Sequence, residues 1–472
     1  MLLSIVLLQS IILAVSTTNE LVETRKTGHI VLITSPFFGH IVPILDFARR
    51  LSAYHHVTYI VSASKLPLLK QRGLIDDNSD SSESKLDIIG LYDGNDHDYE
   101  SADKSIIRQI QPIVEKMHLP LIELLFSTSL TSSRPVATRP IRRPIDVIVS
   151  DMFITDLFVL PPVSEALQKG LIAYFFLPNS LVAFVDLVNT FIKKVKSEEV
   201  GSNYEHLMYQ TIAPIKGIIC NSILEFDKEV LRTLRQRSLP GSNTSILFVA
   251  PIISEVTQRT RQSALLTRVK QWLDKQWEVA NHSSSVIYVS FGSWSFLQPI
   301  QIIEIARALK PYAFIWSLKT KLQSHLSTLF NDDGRHLFLD WIPQRFVLTH
   351  PAVRLFVSHG GWNSLLESMI IGMPTLVWPL FGDQMLNGYR LEHELGMGRW
   401  IENSHKRFIS SDELGRYLKD MFYQQKEYIR RAQQVKKMFA EASRNSSRYY
   451  FEELVHIVDK KIISVPNKHT EL

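Results

Sequence analysis

The sequence predicts an α/β protein built from two doubly wound domains that face each other across a cleft. The chain has 472 residues, too many for one hydrophobic core, so two domains of roughly 200 residues each are expected. Short continuous apolar runs alternate with stretches whose apolar residues recur at helical spacing, a pattern that indicates parallel sheets covered on both faces. Hydrophobic residues make up 45% of the chain and charged residues 21%, as in an ordinary globular protein.

The first predicted domain covers residues 27–250. An apolar strand from His29 to Ser35 leads into a turn that contains His40, and a helix follows. The stretch 127–144 is rich in Ser, Thr, Arg and Pro and is predicted to be an exposed loop. Further strands are predicted at 57–61, 145–149 and 171–176.

The second predicted domain covers residues 283–425 and follows a connection at 251–282. It repeats the alternation of strands and helices, so ligands are expected between the two domains, at the carboxyl ends of the strands. The stretch 426–460 is rich in helix-forming residues. Strands of the second domain are predicted at 286–290, 314–316, 337–339, 355–358 and 375–377.

The two ends of the chain resemble targeting signals. Residues 1–19 contain an apolar run followed by small residues, which favours a cleaved secretory signal over a buried helix or an uncleaved anchor. The last residues, 469–472, read HTEL and differ from the HDEL retention signal at one position. No apolar run is long enough for a transmembrane anchor, so the lumen of the endoplasmic reticulum is expected, with the cytoplasm as the alternative. Three sequons permit glycosylation there, at Asn243, Asn281 and Asn445.

Charge and cysteine content exclude several classes of function. The net charge of +5 comes from 52 basic and 47 acidic residues spread along the chain. The densest basic runs, 142–143 and 193–196, are short and lack interleaved aromatic residues, so no nucleic-acid partner is expected. Cys220 is the only cysteine, which excludes an internal disulfide and a cysteine-based metal site, and its apolar surroundings predict a buried thiol.

The most informative segment is a strand that ends at Ser358 and continues into His359-Gly360-Gly361 and a helix predicted to begin near Leu365. A glycine-containing turn before a helix presents free backbone N–H groups and the positive end of the helix dipole, which suits a diphosphate. The alternative is a structural one, because Ser364 and Glu367 have the spacing of a capping box.

Residues on both sides of this turn favour a binding site. Trp341 and Gln344 stand near the end of one predicted strand, and Asp383 and Gln384 follow another. An aromatic platform and polar groups for hydroxyls are expected at such strand ends. The alternatives are a core aromatic for Trp341 and a surface turn for Asp383-Gln384.

Together, residues 341–384 resemble the signature box of the family 1 UDP-glycosyltransferases, in the form seen in plant secondary-product enzymes. A looser similarity extends over residues 27–460. The chain departs from the common plant form at Gly360, where Cys is usual, and its PLFGDQ ending resembles animal members. The resemblance implies the GT-B fold, with two Rossmann-like domains facing across a cleft, the acceptor on the first and the UDP-sugar on the second. It also implies that the C-terminal helix, 426–460, packs back on the first domain.

The resemblance further implies a role for each residue of the donor site. Trp341 would stack on uracil, and Gln344 and Glu367 would hold the ribose hydroxyls. The diphosphate would be bound by His359, Asn363, Ser364 and Ser293, and the sugar would face Trp362, Asp383 and Gln384.

The first domain supplies the catalytic candidates. His40 matches the catalytic histidine of the family, where an imidazole takes the proton from the acceptor hydroxyl. Asp151, predicted at the end of a strand, matches the aspartate that orients this ring. Asp146 and Asp156 are nearby alternatives for the partner carboxylate.

No cofactor and no metal are expected. Asp96-His97-Asp98 has the spacing of a metal-binding DxD motif, but it lies in a polar stretch of the first domain and is interpreted as solvated. The helix N-terminus and His359 would instead stabilise the departing UDP.

The predicted function is inverting transfer of a hexose, glucose by preference, from a UDP-sugar to a hydroxyl of a small lipophilic acceptor. Two alternatives remain open, a UDP-glucuronosyltransferase and a non-catalytic protein that binds UDP-sugars or lipophiles. Glucuronate needs a cation for its carboxylate, and the box offers only Arg345 and Arg354, neither of them at the predicted sugar end. The acceptor stays open, because loops such as 76–104 and 177–200 are expected to line its pocket.

Overall fold

The structure, a computed structural model, describes most of the chain outside its two ends. The described ranges are 27–75, 85–95, 106–126, 135–186, 214–236, 244–252, 264–292, 297–326, 328–330, 334–404 and 406–463. Several predicted features lie outside them, namely the signal at 1–19, the motif at 96–98, Asn243, Ser293 and residues 469–472.

The first half contains a seven-stranded sheet in the order β3-β2-β1-β4-β5-β6-β7, and all of its pairs are parallel. The strand order reverses between β1 and β4, so the loops that follow these two strands meet at one point of the cleft edge. Its strands are β1 His29–Ile33, β2 His56–Ser62, β3 Leu86–Leu91, β4 Val147–Asp151, β5 Ile172–Leu177, β6 Gly217–Cys220 and β7 Ser245–Phe248.

Helices cover both faces of this sheet and form two apolar cores with it. They are α1 Phe38–Ser52, α2 Leu66–Gln71, α3 Ile106–Phe126, α4 Val163–Gln168 and α5 Leu224–Gln236, with 3₁₀ turns at Ala63–Lys65 and Met152–Val159. Residues 181–186 are also helical.

The second half contains a six-stranded parallel sheet in the order β10-β9-β8-β11-β12-β13. Here the strand order reverses between β8 and β11, so the turn after β11 lies at the cleft edge of the second sheet. The strands are β8 Val286–Ser290, β9 Phe314–Ser317, β10 His336–Leu339, β11 Val353–Ser358, β12 Thr375–Val377 and β13 Gly398–Trp400. The helices are α6 Ala264–Val279, α7 Pro299–Leu309, α8 Thr320–Gln323, α9 Gln344–Thr349, α10 Trp362–Ile371, α11 Gln384–Arg390 and α12 Ser411–Tyr423, with a 3₁₀ turn at Ser324–Leu326 and a π-helical turn at Leu391–Leu395.

Two further helices close the chain, α13 Gln425–Arg444 and α14 Ser446–Ile463. The sequence predicted a single helix here, but the backbone leaves the helical region at Asn445. Helix α13 packs on α10 of the second half through Ala432, Val435 and Phe439. Helix α14 packs on the first sheet, where Leu454 and Val458 belong to the same core as Ile30.

Several peripheral predictions fall within the described residues. Cys220 is fully buried in β6, and this burial raises the pKa of its thiol well above its usual range. Asn281 and Asn445 are both exposed. In the described part of the chain, no helix combines the length and the apolar character needed to cross a bilayer.

Candidate active site

A histidine–aspartate pair lies where the two loops of the first sheet meet. His40 stands in the first turn of α1, and its Nδ1 lies 3.0 and 2.8 Å from the two carboxylate oxygens of Asp151. Asp151 ends β4, beside β1, and is fully buried. The imidazole is 12% exposed. The topology thus brings together two predicted residues that are 111 positions apart in the sequence.

Asp151 is held as a carboxylate by several donors. Its Oδ2 accepts from the backbone N–H of Ser35 (3.1 Å) and from the Ser35 hydroxyl (2.7 Å), and its Oδ1 accepts from the Phe153 N–H at 2.9 Å. Burial by itself would raise the pKa of this carboxyl, but His40 and these hydrogen bonds outweigh it and hold the pKa below its usual range. An ionised Asp151 keeps the proton of neutral His40 on Nδ1, which leaves the Nε2 lone pair available.

Two aromatic rings fix the plane of the imidazole. Phe153 stacks on His40 with ring centroids 4.5 Å apart and planes 27° apart, and Phe37 meets it edge-on at 6.1 Å. Sequence reasoning missed Phe153 and Ser35. The only indication in the sequence was their position, since Ser35 follows β1 and Phe153 follows Asp151.

The alternative carboxylates are engaged elsewhere. Asp146 accepts a hydrogen bond from the His29 N–H at 2.8 Å, at the opposite end of β1. Asp156 pairs with His118, with 2.9 Å between Oδ1 and Nε2. Asp151 is therefore the carboxylate that contacts His40.

Three residues predicted for the donor form one hydrogen-bonded group in the second half. The Gln344 amide nitrogen donates to the Ser364 hydroxyl at 3.1 Å and to the Glu367 carboxylate at 2.8 Å. The Tyr288 hydroxyl donates to the Gln344 amide oxygen at 3.3 Å. Burial raises the pKa of Glu367 to about 7, although the bond from Gln344 opposes the shift. Trp341 is partly exposed two residues beyond β10, and its stacking on uracil stays a prediction.

The predicted capping box does not form, and the helix begins earlier than expected. Helix α10 begins at Trp362 with Gly361 as its N-cap, and no side chain caps it. Ser364 therefore lies inside the first turn, where its hydroxyl accepts from Gln344. The Glu367 carboxylate accepts from the same Gln344 amide. Both residues of the predicted capping box are thus engaged by Gln344 and do not cap the helix.

Two glycines make room for His359 beside this helix. A Cβ on Gly361 would lie 2.4 Å from His359 Nε2, and one on Gly292 would lie 2.8 Å from it. Burial lowers the pKa of the imidazole to about 4, against the opposing effect of the Ser290 carbonyl. The ring is thus neutral at pH 7. Its Nδ1 is buried and has no hydrogen-bond partner within the described ranges.

Asn363 reaches from the second half to the first. Its amide nitrogen donates to the Gly39 carbonyl at 2.7 Å, one residue before His40. The predicted diphosphate turn and the predicted base are therefore neighbours, although they are more than 300 residues apart in the sequence.

Trp362 occupies a different place from the one expected. Its indole N–H donates to the Asn221 carbonyl at 2.7 Å, and its ring stacks on Phe226 at 5.8 Å. The residue is only 4% exposed. The indole is thus a contact between the two halves, where the sequence predicted a contact with the sugar, because its partners lie in the loop after β6 and in helix α5 of the first half.

The last two predicted site residues, Asp383 and Gln384, lie at the start of α11. The Gln384 amide oxygen accepts from the backbone N–H groups of Leu380 (2.8 Å) and Phe381 (3.1 Å), so only its amide nitrogen is left for a ligand. Burial raises the pKa of the Asp383 carboxyl, and the hydrogen bond that it accepts from Asn387 opposes this shift.

Asn387 is a site residue that sequence reasoning missed. Its amide nitrogen donates to the Asp383 carboxylate at 2.8 Å and to the Gly360 carbonyl at 3.0 Å. Asn387 therefore joins the turn at Asp383 to the predicted diphosphate turn at Gly360. Its spacing of four from Asp383 on a helix was the available signal.

Within the described ranges, no group of three or more His, Cys, Asp or Glu side chains is arranged to hold a metal ion.

Comparisons with known proteins agree on one family. The family model described as "UDP-glucoronosyl and UDP-glucosyl transferase" matches residues 264–439. UDP-glycosyltransferase 72B1 of Arabidopsis thaliana is 25% identical over 444 residues, which cover 84% of this chain and 88% of that protein. Flavonol 3-O-glucosyltransferase UGT71C1 of the same plant is 27% identical over 434 residues, covering 79% and 84%.

A solved structure supports the fold. Medicago truncatula UGT71G1 complexed with UDP-glucose superposes with a TM-score of 0.67 at 21% identity, over 92% of this chain and 99% of that one. The predicted GT-B fold, with two α/β domains each built on a parallel sheet, is confirmed.

Proposed function

The chain belongs to the UDP-glycosyltransferase family and is a glycosyltransferase, and we propose that it transfers a hexose, glucose by preference, from a UDP-sugar to a hydroxyl of a small lipophilic acceptor. One observation carries the proposal. The His40–Asp151 pair lies one residue from the Gly39 carbonyl that Asn363 of the diphosphate turn contacts. A base and a leaving-group site are thus adjacent, as group transfer requires.

In the proposed reaction, His40 is the general base. Its Nε2 takes the proton of the acceptor hydroxyl while the oxygen attacks the anomeric carbon. The resulting imidazolium is stabilised by the ionised Asp151 at 2.8 Å. Attack from the face opposite the departing UDP inverts the configuration at that carbon.

The leaving diphosphate is placed at the N-terminus of α10. Backbone N–H groups there are free of side-chain caps, and the helix dipole favours negative charge. We assign Asn363, Ser364, Ser293 and the neutral His359 to the phosphate oxygens. A neutral imidazole contributes an N–H donor without a charge of its own.

The nucleoside and the sugar occupy opposite sides of this turn in the proposal. Trp341 stacks on uracil, while Gln344 and Glu367 bind the ribose hydroxyls. Asp383 and the amide nitrogen of Gln384 bind sugar hydroxyls, and Trp362 contributes its backbone, since its indole is engaged elsewhere.

Glucose is proposed over glucuronate because of where the arginine side chains lie. The Arg354 guanidinium lies over the Phe422 ring at 4.3 Å, and Arg390 is paired with Asp227 at 2.9 Å. Arg345 follows Gln344, on the ribose side, and its charge acts on Glu367. Among the described residues, none of these cations is placed at the Asp383 turn to match a glucuronate carboxylate.

The acceptor is proposed to be a phenol. The rings of Phe37 and Phe153 pack against His40, which favours a flat apolar molecule beside the base. The relative UGT71C1 is named as a flavonol 3-O-glucosyltransferase, a compatible acceptor class.

We further propose that the protein enters the secretory pathway and stays in the endoplasmic reticulum lumen. The proposal rests on the apolar signal-like run at 1–19, the HTEL motif at 469–472, and the exposed sequons at Asn281 and Asn445. Expression in a eukaryotic cell tests it. A mass decrease on removal of N-glycans is expected, whereas an unglycosylated protein in the cytosolic fraction would contradict it.

Replacing the base tests the proposed reaction. His40→Ala should abolish transfer from UDP-glucose to a phenolic panel while UDP still binds with its original affinity, measured by mass spectrometry and calorimetry. The matched control is His350→Ala, since His350 is also paired with an aspartate, Asp274 at 3.1 Å, but precedes β11 at its amino end. Wild-type turnover in His40→Ala would refute His40 as the base. Donor binding by the wild-type protein without transfer or hydrolysis would instead identify a non-catalytic binder.

A further inference from the structure

A buried ion pair joins the two halves of the molecule at some distance from His40. Resting on the proposed function, we propose that Arg390 and Asp227 are positioning residues, which hold the acceptor side of the cleft in register with the turn that binds the sugar. Arg390 ends α11 in the second half, and Asp227 lies in the first turn of α5 in the first half.

Each of the three guanidinium nitrogens of Arg390 donates a hydrogen bond. Its Nη1 donates to Asp227 Oδ1 at 2.9 Å, its Nη2 to the Phe226 carbonyl at 2.8 Å, and its Nε to Glu394 at 2.8 Å. The guanidinium also lies 3.5 Å from the centre of the Phe226 ring. The side chain is 3% exposed and that of Asp227 is fully buried. The planar fork of arginine therefore fixes both distance and angle between the halves.

Asp227 contacts an acceptor-side element with its other oxygen. Its Oδ2 accepts from the backbone N–H of Leu181 at 2.8 Å. Leu181 begins the helical residues after β5, and β5 is the neighbour of β4, which carries Asp151. One carboxylate thus holds the start of the helical residues after β5 and the end of a helix in the donor half.

Helix α11 connects the Arg390–Asp227 pair to the residues proposed to bind the sugar. Arg390 is its last residue, and Asp383 and Gln384 stand at its first turn. At a rise of about 1.5 Å per residue, seven residues span about 10 Å. A shift at the Arg390 end therefore moves the two sugar-binding residues with it, because a helix of this length behaves as a rigid rod.

Stability alone does not account for the pair. Desolvation offsets most of the attraction between two buried charges, and apolar residues of similar volume often stabilise a fold as well or better. An ion pair of this geometry adds a defined position of one half relative to the other. Phe226, held between the Arg390 guanidinium and the Trp362 ring, extends that arrangement to the helix of the diphosphate turn.

The test uses a variant designed to fold. In Asp227→Asn/Arg390→Met, the asparagine oxygen can still accept from Leu181, and the methionine fills the space over Phe226. Glu394 loses its partner, but its side chain is 47% exposed and its carboxylate stays solvated. The matched control is Arg399→Met, because Arg399 also binds two carboxylates, Glu392 and Asp420, but both belong to its own half.

With UDP-glucose and a phenolic acceptor as substrates, the affinity for UDP should stay near the wild-type value in both variants. In the double variant, kcat for transfer should fall by about 10- to 100-fold, as expected for small misplacements of reacting groups. The share of donor lost to hydrolysis should rise, because water needs less alignment than the acceptor. A loss equal to that of Arg399→Met, or an unchanged ratio of hydrolysis to transfer, would overturn the proposal.

A second measurement is independent of activity. Spin labels at Lys169→Cys and Lys270→Cys, one exposed position in each half, report the distance between the halves, and the native Cys220 is buried. The distance distribution should broaden or shift in the double variant and not in the control. An unchanged distribution would refute the positioning role. A changed one in a protein that transfers no sugar would refute the proposed function and leave this inference standing.

Discussion

At the scale of single residues, burial sets the protonation states of the site. It lowers the pKa of His359 to about 4 and raises that of Glu367 to about 7. Asp151 is buried as well, yet its donors and His40 hold its pKa below the usual range. Burial disfavours the charged form, so it lowers the pKa of a base such as His359 and raises that of an acid such as Glu367; Asp151 departs from this rule because His40 and its hydrogen-bond donors stabilise the carboxylate.

Glu367 should make donor binding depend on pH near neutrality. If the carboxylate accepts from the ribose hydroxyls, binding requires its ionised form, and affinity falls as pH drops through the pKa of about 7. Between pH 8 and pH 6 the ionised fraction falls about tenfold, and affinity should follow it. UDP-glucose is the ligand to use in calorimetry, because both of its phosphates are esterified and do not titrate in this range.

The control is Glu367→Gln, which keeps the shape but removes the titration. Its affinity should be the same at both pH values. A wild-type affinity that is constant from pH 6 to pH 8 would show that Glu367 does not bind the ribose in its ionised form.

Asn387→Ala should weaken sugar recognition specifically. It leaves the Gly360 carbonyl and the Asp383 carboxylate without a shared donor, at a cost of about 1–3 kcal/mol in unfolding free energy. UDP-glucose should lose more affinity than UDP, because Asp383 is proposed to bind the sugar. Gln301→Ala is the control, since Gln301 is a buried amide that bonds both the N–H and the carbonyl of Ile409. Equal losses for the two ligands in Asn387→Ala would contradict the assignment.

The sequence predicted the residues of the signature box and missed those that support them. His40 and Asp151, or Gln344 and Glu367, could be named because the motif resembles a known family. Ser35, Phe153, Asn221 and Asn387 act through contacts that arise only in the folded chain. Trp362 shows the same limit, because its type and position predicted a ligand contact, whereas the facing domain determined its partner.

At the scale of elements, the turn between β11 and α10 is shaped in this chain by the close packing of Gly360. Gly360 has a φ of +84°, and a Cβ there would lie 2.4 Å from Val377 Cγ1 on β12. Its carbonyl also accepts from Asn387. The tight turn thus places the helix N-terminus close to the sheet edge, where the diphosphate is proposed to bind.

Gly360→Ala should destabilise the protein by about 1–3 kcal/mol, from backbone strain and the clash with Val377. It should also weaken UDP binding, because the turn must shift. Gly415→Ala is the control, since Gly415 lies in α12 with nothing within 4 Å of its added Cβ, and this change should be neutral or stabilising. Thermal unfolding and calorimetry measure both effects. Native stability in Gly360→Ala would show that the turn tolerates a side chain.

Most strands were predicted from their continuous apolar runs. The predicted strands at 286–290 and 375–377 match β8 and β12, and each of the others differs from its strand by one or two residues at an end. Strands β3, β6, β7 and β13 were not predicted. β6, β7 and β13 have only three or four residues, which is too short for a periodic signal, and β3 follows a polar stretch.

At the scale of the whole molecule, the division into two α/β halves followed from length and alternation alone. The alignment of the halves could not be predicted, because it depends on a few side chains, such as Asn363 and Arg390, that contact residues more than 160 positions away. Sequence patterns report local structure, and these contacts leave no periodic trace.

Transfer should continue at full rate in the presence of EDTA. In the proposed reaction the charge of the departing UDP is met by the N-terminus of α10 and by neutral donors, so chelation removes nothing that the reaction uses. Rates with and without chelator, and with added manganese, provide the measurement. Loss of transfer that manganese restores would assign a metal role, with Asp96 and Asp98 as the first residues to replace.

The chain crosses between the two halves twice, once after Ile252 and again at Asn445, between α13 and α14. Two bodies joined at a single point can swing and twist in every direction, whereas two joined at separate points turn only about the line through both. The last helix therefore removes degrees of freedom that a single linker would leave.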